Sequence, residues 1–296
     1  MISNPQQTCE NLLIWAVNRI GGDSPRLDAE LLLSYVTGLG RTSFRTWPER
    51  NIPADQILAF KELVAARADG KPVAYLLGHQ EFWSLSLLVS SSTLIPRPDT
   101  ECLVESALAL PLPASARVLD LGTGTGAIAL ALASERPTWH VTACDCVDEA
   151  VNLARRNASK LGLPVTVLSS FWFSDLTPQL FDLIISNPPY IAAQDNHLEL
   201  GDVRFEPRSA LVSGADGLDD LRLIIEQAPG WLENEGWLLV EHGFNQAEAV
   251  RALFQRRGFV AVESRKDYGN RDRMTSGQWL RTGSSQAFNP GGQNVQ

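Results

Sequence analysis

The stretch Val118-Leu-Asp-Leu-Gly-Thr-Gly-Thr-Gly126 decides the fold of this chain. Its first residues are typical of a buried strand, and three glycines at alternate positions follow. Gly122, Gly124 and Gly126 allow the backbone to turn tightly and to approach a ligand closely. Because the helical pattern Ala127–Glu135 comes next, the stretch predicts a strand, a ligand-binding turn and a helix.

Apolar runs of strand length alternate with amphipathic helical patterns through the rest of this region. The strand candidates are Arg117–Leu121, His140–Asp145, Val165–Ser169, Asp182–Ser186 and Trp237–Glu241, with Phe259–Glu263 and Gln278–Arg281 expected to pair at the sheet edge. The helical patterns are Ala127–Glu135, Glu149–Leu161, Leu218–Glu233 and Gln246–Arg257. This alternation predicts the α/β class, with a doubly wound sheet covered by helices on both faces.

The first part of the chain has a different pattern. Asn11–Ile20, Leu27–Thr37 and Ala54–Ala68 carry apolar stripes at helical spacing, which predicts a small helical bundle. Glu81–Val89 interleaves apolar residues with serines and predicts a β-ribbon, and the prolines of Ile95–Glu101 predict an extended connection. The expected domains are a helical domain (1–78), a ribbon linker (79–95), an α/β domain (96–282) and a disordered tail (283–296).

Composition restricts the classes of protein to consider. The 296 residues are 44% hydrophobic and 20% charged, with a net charge of −9, which disfavours affinity for bulk nucleic acid. Residues 1–95 hold 8 basic and 9 acidic side chains, whereas 96–296 hold 17 and 25. We expect no signal peptide, transmembrane helix or metal site, and the four scattered cysteines indicate a reduced, cytoplasmic protein.

Two carboxylates flank the glycine-rich turn. Asp120 precedes it in the strand, and a carboxylate there suits a ligand with a positive amino group better than a pyrophosphate. Asp145 ends the next strand, where an acid accepts both ribose hydroxyls of an adenosine. The spacing GxGxG with both acids predicts S-adenosyl-L-methionine as the ligand, bound by Asp120, Gly122, Thr123, Gly124, Thr125, Gly126 and Asp145.

A second motif, Asn187-Pro-Pro-Tyr190, follows the fourth strand of the α/β region. Pro188 and Pro189 have fixed φ angles and no N–H donors, so they form a rigid platform. The Asn187 side-chain oxygen and the Pro188 carbonyl can both accept hydrogen bonds from one –NH2 group, and Tyr190 offers a face for stacking. Holding a planar nitrogen in this way favours methyl transfer through orientation and preorganised electrostatics.

The two motifs together resemble the class I methyltransferases of planar exocyclic nitrogens. Further segments make the chain similar to the HemK/PrmC family, the N5-glutamine methyltransferases of peptide chain release factors. They are Lys71–Gly78, Ile95–Glu101, Gly201–Pro207 and Asp267–Asn270. The resemblance spans roughly residues 10–280.

The resemblance implies a substrate, a methyl donor and site residues. The substrate is the glutamine of the Gly-Gly-Gln loop in bacterial class 1 release factors, held partly by a five-helix N-terminal domain. The donor is S-adenosylmethionine, with Asp145 at its ribose, Trp172 beside its adenine and Asn187 also contacting it. Asn187, Pro188 and Tyr190 form the catalytic set and, with Pro189, hold the substrate amide. The family usually has an acidic residue before the tryptophan, where this chain has Phe171.

Other interpretations remain open on the sequence. An adenine-N6 methyltransferase of DNA or RNA would grip an –NH2 group in the same way, although it should carry a basic recognition domain. An inactive binding module is the alternative from another class. Arg97, Glu101 and Glu206 either line a substrate channel or anchor loops. Gly291-Gly-Gln293 in the tail repeats the substrate tripeptide, by chance or as a weak competitor for the site.

Overall fold

The structure is a computed structural model that describes residues 7–281. The chain divides into two units. The first holds the residues up to His79 together with Glu199–Phe205, and the second holds Gln80–Leu198 and the residues from Glu206 onward. The ribbon therefore lies in the second unit, and a short segment far along the chain lies in the first.

The first unit is a bundle of five helices within the described residues. They are α1 (Cys9–Ile20), α2 (Pro25–Thr37), α3 (Arg41–Thr46), α4 (Ala54–Ala68) and α5 (Val73–Leu77). The three helices expected from periodicity are confirmed; α3 and α5 are too short to give a periodic signal. The apolar stripes bury a common core that includes Leu13, Leu33, Phe44 and Phe60.

Ion pairs connect the helices of the first unit to one another and to the segment Glu199–Phe205. Glu30 is buried and pairs with both Arg26 and Arg41. Arg67 reaches Asp28 and also Asp202, each at 2.7 Å. The second of these pairs fixes Glu199–Phe205 on the bundle.

The second unit begins with the expected ribbon, formed by β1 (His79–Phe82) and β2 (Leu85–Leu88). Asn157 of the following domain holds it through both amide atoms. Its Nδ2 donates to the Leu88 carbonyl at 3.0 Å, and its Oδ1 accepts from the Leu88 N–H at 2.7 Å. The ribbon is thus fastened to the α/β domain by backbone contacts.

The rest of the second unit is a doubly wound α/β domain, as expected. Its seven described strands have the order β5-β4-β3-β6-β7-β9-β8. The strands are β3 (Arg117–Leu121), β4 (His140–Asp145), β5 (Val165–Ser169), β6 (Phe181–Ser186), β7 (Leu232–Glu241), β8 (Val260–Lys266) and β9 (Asp272–Gln278). The helices are α6 (Pro98–Leu108), α7 (Ala127–Glu135), α8 (Asp148–Leu161), α9 (Asp219–Gln227) and α10 (Ala247–Arg257).

The sheet topology positions the ligand-binding edge. β3 to β7 are parallel neighbours, and β9 joins β7 in the antiparallel sense. The chain runs outward from β3 through β4 to β5, and then returns to β6 on the other side of β3. Ligands of open α/β sheets bind at such a switch point, outside the carboxyl ends of the strands. Both sequence motifs follow strands that meet there.

Three local expectations were wrong. Helix α6 begins at Pro98, inside the stretch expected to be extended, because a proline is well suited to the first turn of a helix. The pattern Leu218–Glu233 combines α9 with the start of β7, separated by a turn of 3-10 helix over Ala228–Gly230. The last strand ends at Gln278 and does not begin there. The expected tail, 283–296, with its Gly-Gly-Gln tripeptide, lies outside the described residues.

Candidate active site

A cavity of about 1050 Å³, counted with its open mouth, lies at the carboxyl ends of β3, β4, β5 and β6. Its wall is largely apolar, with a few polar side chains converging on it, as in most small-molecule sites. Gly122–Thr125, Asp145, Trp172, Asn187 and Pro189 are the predicted site residues that line it. Gly126, Asp120, Pro188 and Tyr190 are predicted site residues that do not.

The glycine-rich turn leaves room that a side chain would fill. Gly122 has φ +67°, and a Cβ placed on it would lie 3.2 Å from the Trp172 ring. The Gly124 N–H donates to Asp145 Oδ2 at 2.9 Å, so the turn is tied to the end of the neighbouring strand. The backbone of the turn is thereby held close to the cavity.

Asp120 lies beneath this turn and is completely buried. Its Oδ2 accepts from the Thr123 hydroxyl at 2.6 Å and from the Ala129 N–H at 3.3 Å. Its Oδ1 has no hydrogen-bond partner among residues 7–281. Burial raises the pKa of Asp120 to about 7, against the lowering effect of the Thr123 bond. The carboxyl therefore braces the turn from below, one layer away from the cavity wall.

Asp145 ends β4 and lines the cavity. Besides Gly124, the Val147 N–H donates to it, at 3.0 Å to Oδ1. Burial raises the pKa of its carboxyl, and the backbone donors lower it. Each oxygen keeps capacity for a further hydrogen bond, since a carboxylate oxygen accepts about two.

Trp172 lines the same cavity and has its backbone at φ +50°, an unusual conformation for a bulky residue. Its indole Nε1 donates to Asp220 Oδ1 at 3.2 Å. Phe171 also lines the cavity, with half of its surface exposed. The carboxylate at this end of the cavity is therefore Asp220, from the first turn of α9.

Asn187 follows β6 and lines the cavity from the other side of β3. Its Nδ2 donates to Thr100 Oγ1 at 3.2 Å, which leaves its Oδ1 as the acceptor available to a ligand. Thr100 belongs to the first turn of α6 and is itself buried. Helix α6, which the sequence did not predict, therefore supplies Thr100, the side chain that orients Asn187.

Tyr190 is directed away from the cavity wall. Its hydroxyl donates to Glu241 Oε1 at 3.1 Å, and burial raises the pKa of the phenol above its ordinary range. The Tyr190 carbonyl accepts from Gln246 Nε2 at 3.0 Å. A Cβ on Gly217 would lie only 2.2 Å from that carbonyl oxygen. The motif is therefore held rigidly at its last residue.

The sequence left open the roles of Arg97, Glu101 and Glu206. In the structure the three side chains make different contacts. Arg97 lines the cavity and pairs with Glu206 at 2.7 Å. Glu206 is buried, so it anchors the arginine from behind. Glu101 accepts from the Trp83 N–H at 2.8 Å and fastens the ribbon.

Thr100, Asp220 and Glu241 are site residues that sequence reasoning missed. The only signal for Glu241 was its place at the end of a predicted buried strand, where Asp145 also lies. Thr100 and Asp220 begin helices, and nothing local connects them to the motifs. Within residues 7–281, no group of His, Cys, Asp and Glu side chains is arranged to hold a metal ion.

The cavity suits S-adenosylmethionine on its own chemistry. It combines a glycine cradle, the carboxylates of Asp145 and Asp220, and the aromatic wall of Trp172. Hydroxyl and amine donors of an adenosyl group match these carboxylates, which only accept. The apolar lining matches the faces of the adenine base.

Family models match both parts of the chain. "PrmC N-terminal domain" matches residues 11–78, and "Methyltransferase small domain" matches residues 99–214. The first match covers the helical bundle up to the end of α5. The second covers the cavity from α6 to the loop after Asn187.

Curated relatives carry the name release factor glutamine methyltransferase. That of Pseudomonas aeruginosa is 59% identical over 260 residues, covering 87% of this chain and 94% of the relative. That of Escherichia coli K12 is 52% identical over 258 residues, covering 87% and 93%. That of Shewanella oneidensis is 50% identical over 278 residues, covering 93% and 97%.

Solved structures agree on the fold. A methyltransferase from Pyrococcus furiosus superimposes with a TM-score of 0.51 and 18% identity, over 66% of this chain and 88% of that one. The hMettl16 catalytic domain, solved in complex with MAT2A 3'UTR hairpin 6, gives a TM-score of 0.53 and 18% identity, over 73% and 81%. At this identity the likeness extends to the architecture alone.

Proposed function

The chain belongs to the release factor glutamine methyltransferase family, and we propose that it methylates N5 of the glutamine in the Gly-Gly-Gln motif of bacterial class 1 release factors. It is an enzyme that uses S-adenosylmethionine. The observation that carries the proposal is the orientation of Asn187: its Nδ2 is taken by Thr100, so its Oδ1 is left to accept from an –NH2 group at the cavity. A carboxamide of glutamine presents such a group.

We assign the methyl donor to the part of the cavity around Asp145. The Asp145 carboxylate accepts from the ribose hydroxyls, and Trp172 covers the adenine. The glycine-rich turn, Gly122–Gly126, holds the methionine part of the methyl donor. Asp120 acts on that part from beneath the turn, which its carboxyl braces through the Thr123 hydroxyl.

We assign the substrate amide to Asn187–Tyr190. The Asn187 oxygen and the Pro188 carbonyl hold the two N–H bonds, which fixes the plane of the nitrogen and directs its lone pair. Pro189 forms the adjoining wall, and Tyr190 anchors the motif through its bonds to Glu241 and Gln246. When bound, S-adenosylmethionine supplies an electrophilic methyl group, whose transfer to the nitrogen leaves a neutral thioether and releases one proton.

These residues increase the rate by orientation and by preorganised acceptors. A carboxamide nitrogen is a poor nucleophile because its lone pair is delocalised into the carbonyl. Gripping both N–H bonds stabilises the positive charge that develops on nitrogen during transfer, and a fixed acceptor needs no reorganisation at that moment. We expect no general base of matched pKa before the transfer.

We further propose that residues 1–78 form the domain that helps to hold the release factor, with 79–95 as a linker and the methyltransferase domain from residue 96. The release factor is the direct partner, and nucleic acid is not. No helix within residues 7–281 is long and apolar enough to cross a membrane. A cytoplasmic location fits a substrate that acts in translation.

Mass spectrometry of a purified release factor after incubation with enzyme and methyl donor tests the proposal. We expect one methyl group, on the Gly-Gly-Gln glutamine, and no incorporation into oligonucleotides. Asn187→Ala should lower the rate on the order of 100-fold or more while methyl-donor affinity stays near normal. Asn152→Ala, on the exposed side of α8, is the matched control and should retain the rate. Methylation of adenine in the oligonucleotide, or of another release-factor residue, would refute the assignment.

A further inference from the structure

A buried glutamine lies against the end of the motif that follows β6. Gln246 is the residue before α10 and is buried. Its Nε2 donates to the Tyr190 carbonyl at 3.0 Å, and its Oε1 accepts from the Gly243 N–H at 2.8 Å. The carbonyl oxygens of Asp216 and Gly217 lie 3.3 Å and 3.4 Å from the same Nε2. One side chain therefore joins the motif to the loop before α9 and to the loop before α10.

Hydrogen-bonding chemistry fixes the direction in which this amide faces. A main-chain carbonyl only accepts, and a main-chain N–H only donates. The nitrogen of Gln246 must therefore face the three carbonyls, and its oxygen must face Gly243. The amide has two N–H bonds for three acceptors, of which the Tyr190 carbonyl is the nearest. A side chain of the same length without an N–H cannot replace this contact.

The contact completes the hold on the peptide group that ends the motif. The Ile191 N–H, on one edge of that peptide, donates to the Leu211 carbonyl at 2.8 Å. The Tyr190 carbonyl, on the opposite edge, is held by Gln246. A peptide held by one hydrogen bond can pivot about it, whereas bonds on both edges define its plane. Gln246 therefore fixes the orientation of the Tyr190–Ile191 peptide.

This orientation affects the carbonyl to which we assign the substrate amide. Pro188 and Pro189 have no N–H, so neither can be held by donating to a neighbouring strand. Their φ angles are fixed, and few free torsions separate the Pro188 carbonyl from the Tyr190–Ile191 peptide. A tilt of that peptide therefore moves the Pro188 carbonyl.

The methyl-donor side of the cavity is held by other contacts. The Ser213 N–H donates to the Ile191 carbonyl at 3.0 Å, which pairs the loop before α9 with the segment after the motif. The Ser213 hydroxyl accepts from the Asp220 N–H at 2.8 Å, at the start of the helix that brings Asp220 to the cavity. These bonds do not involve Gln246. We therefore expect the donor side to stay in place when Gln246 is changed.

We propose that Gln246 is a positioning residue for methyl transfer, which holds the Tyr190 carbonyl and thereby keeps the Pro188 carbonyl in place around the substrate amide. This rests on the proposed function, since it concerns how the same motif holds a carboxamide. Gln246 lies outside the cavity wall. Its loss should therefore lower the rate of transfer and leave the binding of both substrates nearly unchanged.

The test is single-turnover methylation of release factor at saturating methyl donor, over a range of enzyme concentrations, for wild type and Gln246→Met. Methionine is similar in length and has no N–H. Because a small misplacement at a reacting centre can cost about 100-fold, we expect the maximal rate to fall about 10- to 100-fold. Half-saturating concentration and methyl-donor affinity should stay within about threefold of wild type. Gln255→Met, on an exposed position of α10, is the matched control and should keep the wild-type rate.

Gln246→Glu distinguishes this role from simple anchoring of α10. At alkaline pH its ionised carboxylate still accepts from the Gly243 N–H but donates to no carbonyl. If the Gly243 contact alone mattered, the glutamate variant would match wild type. We expect it to be as slow as the methionine variant, with thermal unfolding of both variants measured to confirm that they are folded at the assay temperature.

Gln246→Asn replaces either variant if it does not fold. Asparagine keeps the amide but is one methylene shorter, so its nitrogen falls short of the Tyr190 carbonyl, and we expect the same loss of rate. A wild-type maximal rate in any folded variant of Gln246, or a loss confined to the half-saturating concentration, would overturn the positioning role. Failure of the wild type to methylate release factor would instead refute the proposed function, and this inference with it.

Discussion

Replacing Asp220 by asparagine should weaken binding of the methyl donor and reduce selectivity for its adenine. Asp220 lines the cavity beside Trp172, whose indole N–H it accepts at 3.2 Å on Oδ1. In the proposed placement of the adenine against Trp172, the second oxygen of Asp220 accepts from the 6-amino group. The residue at which the family usually has an acid is Phe171 in this chain, so its side chain has no such acceptor.

The magnitude follows from one charge-assisted hydrogen bond. Such bonds contribute about 1.5–3 kcal/mol, and Asp220 is only partly buried, which favours the lower half of that range. Since about 1.4 kcal/mol changes a dissociation constant tenfold, we expect affinity to fall by roughly 10- to 40-fold. Asparagine preserves the contact with Trp172 through its oxygen but turns an –NH2 group toward the adenine amine.

Calorimetry with two ligands measures the effect. S-Adenosylhomocysteine carries the amine, whereas S-inosylhomocysteine carries a carbonyl at the same position. Wild type should prefer the adenosyl ligand, and Asp220→Asn should lose most of that preference. Asp219→Asn is the matched control, because Asp219 is exposed and pairs with Arg222. If Asp219→Asn and Asp220→Asn bind both ligands equally well, Asp220 does not contact the adenine.

Two more substitutions test the ribose contact and the rigidity of the motif. Asp145→Ala should weaken binding of S-adenosylhomocysteine by about 1.5–3 kcal/mol in the same calorimetric assay, and an unchanged affinity would contradict the ribose assignment. Gly217→Ala places a Cβ 2.2 Å from the Tyr190 carbonyl at φ +78° and should cost about 1–3 kcal/mol in thermal unfolding and also lower the transfer rate. Gly162→Ala, which has φ +65° and no atom within 4 Å of the added Cβ, should change stability less and leave the rate unaffected.

Periodicity predicted strands of the sheet and the helices that cover its two faces. β3, β4 and β5 have the predicted bounds, because each is a short apolar run between a helix end and a polar turn. α7 likewise matches Ala127–Glu135. The signal is strongest in β3 and α7, which are buried over most of their length and are therefore almost entirely apolar.

The wrong boundaries have a common physical cause. At each of them the local residues are compatible with two structures, and contacts elsewhere in the fold decide between the two. Pro98 can begin a helix or maintain an extended chain, and the pattern before it does not distinguish the two. The amphipathic pattern from Leu218 to Glu233 covers a helix and then the start of a strand, because both bury leucine. Pro229 and Gly230 are the sequence signal for the break, since this dipeptide marks a turn.

The candidate site was predictable only where a motif follows a strand. Gly122, Gly124, Asp145 and Asn187 were assigned to the site from their positions after apolar runs, and the structure brings them to one cavity. Asp120 was assigned in the same way, yet its side chain points beneath the turn toward Thr123. A strand-end residue can face either side of the sheet, and one residue of register decides which.

The remaining site residues come from elements that the motifs do not contain. Asp220 reaches the Trp172 end of the cavity from α9, Thr100 of α6 bonds to Asn187, and Glu241 of β7 bonds to Tyr190. A parallel sheet gathers the carboxyl ends of its strands and the beginnings of its helices around one space, so any of them can supply a required acceptor there. The absence of an acid at Phe171 therefore does not remove the acceptor from the site, because a carboxylate 48 positions after Trp172 bonds to that same indole. The fold brings the residues of this site together in space, and the motifs supply only those that lie next to one another along the chain.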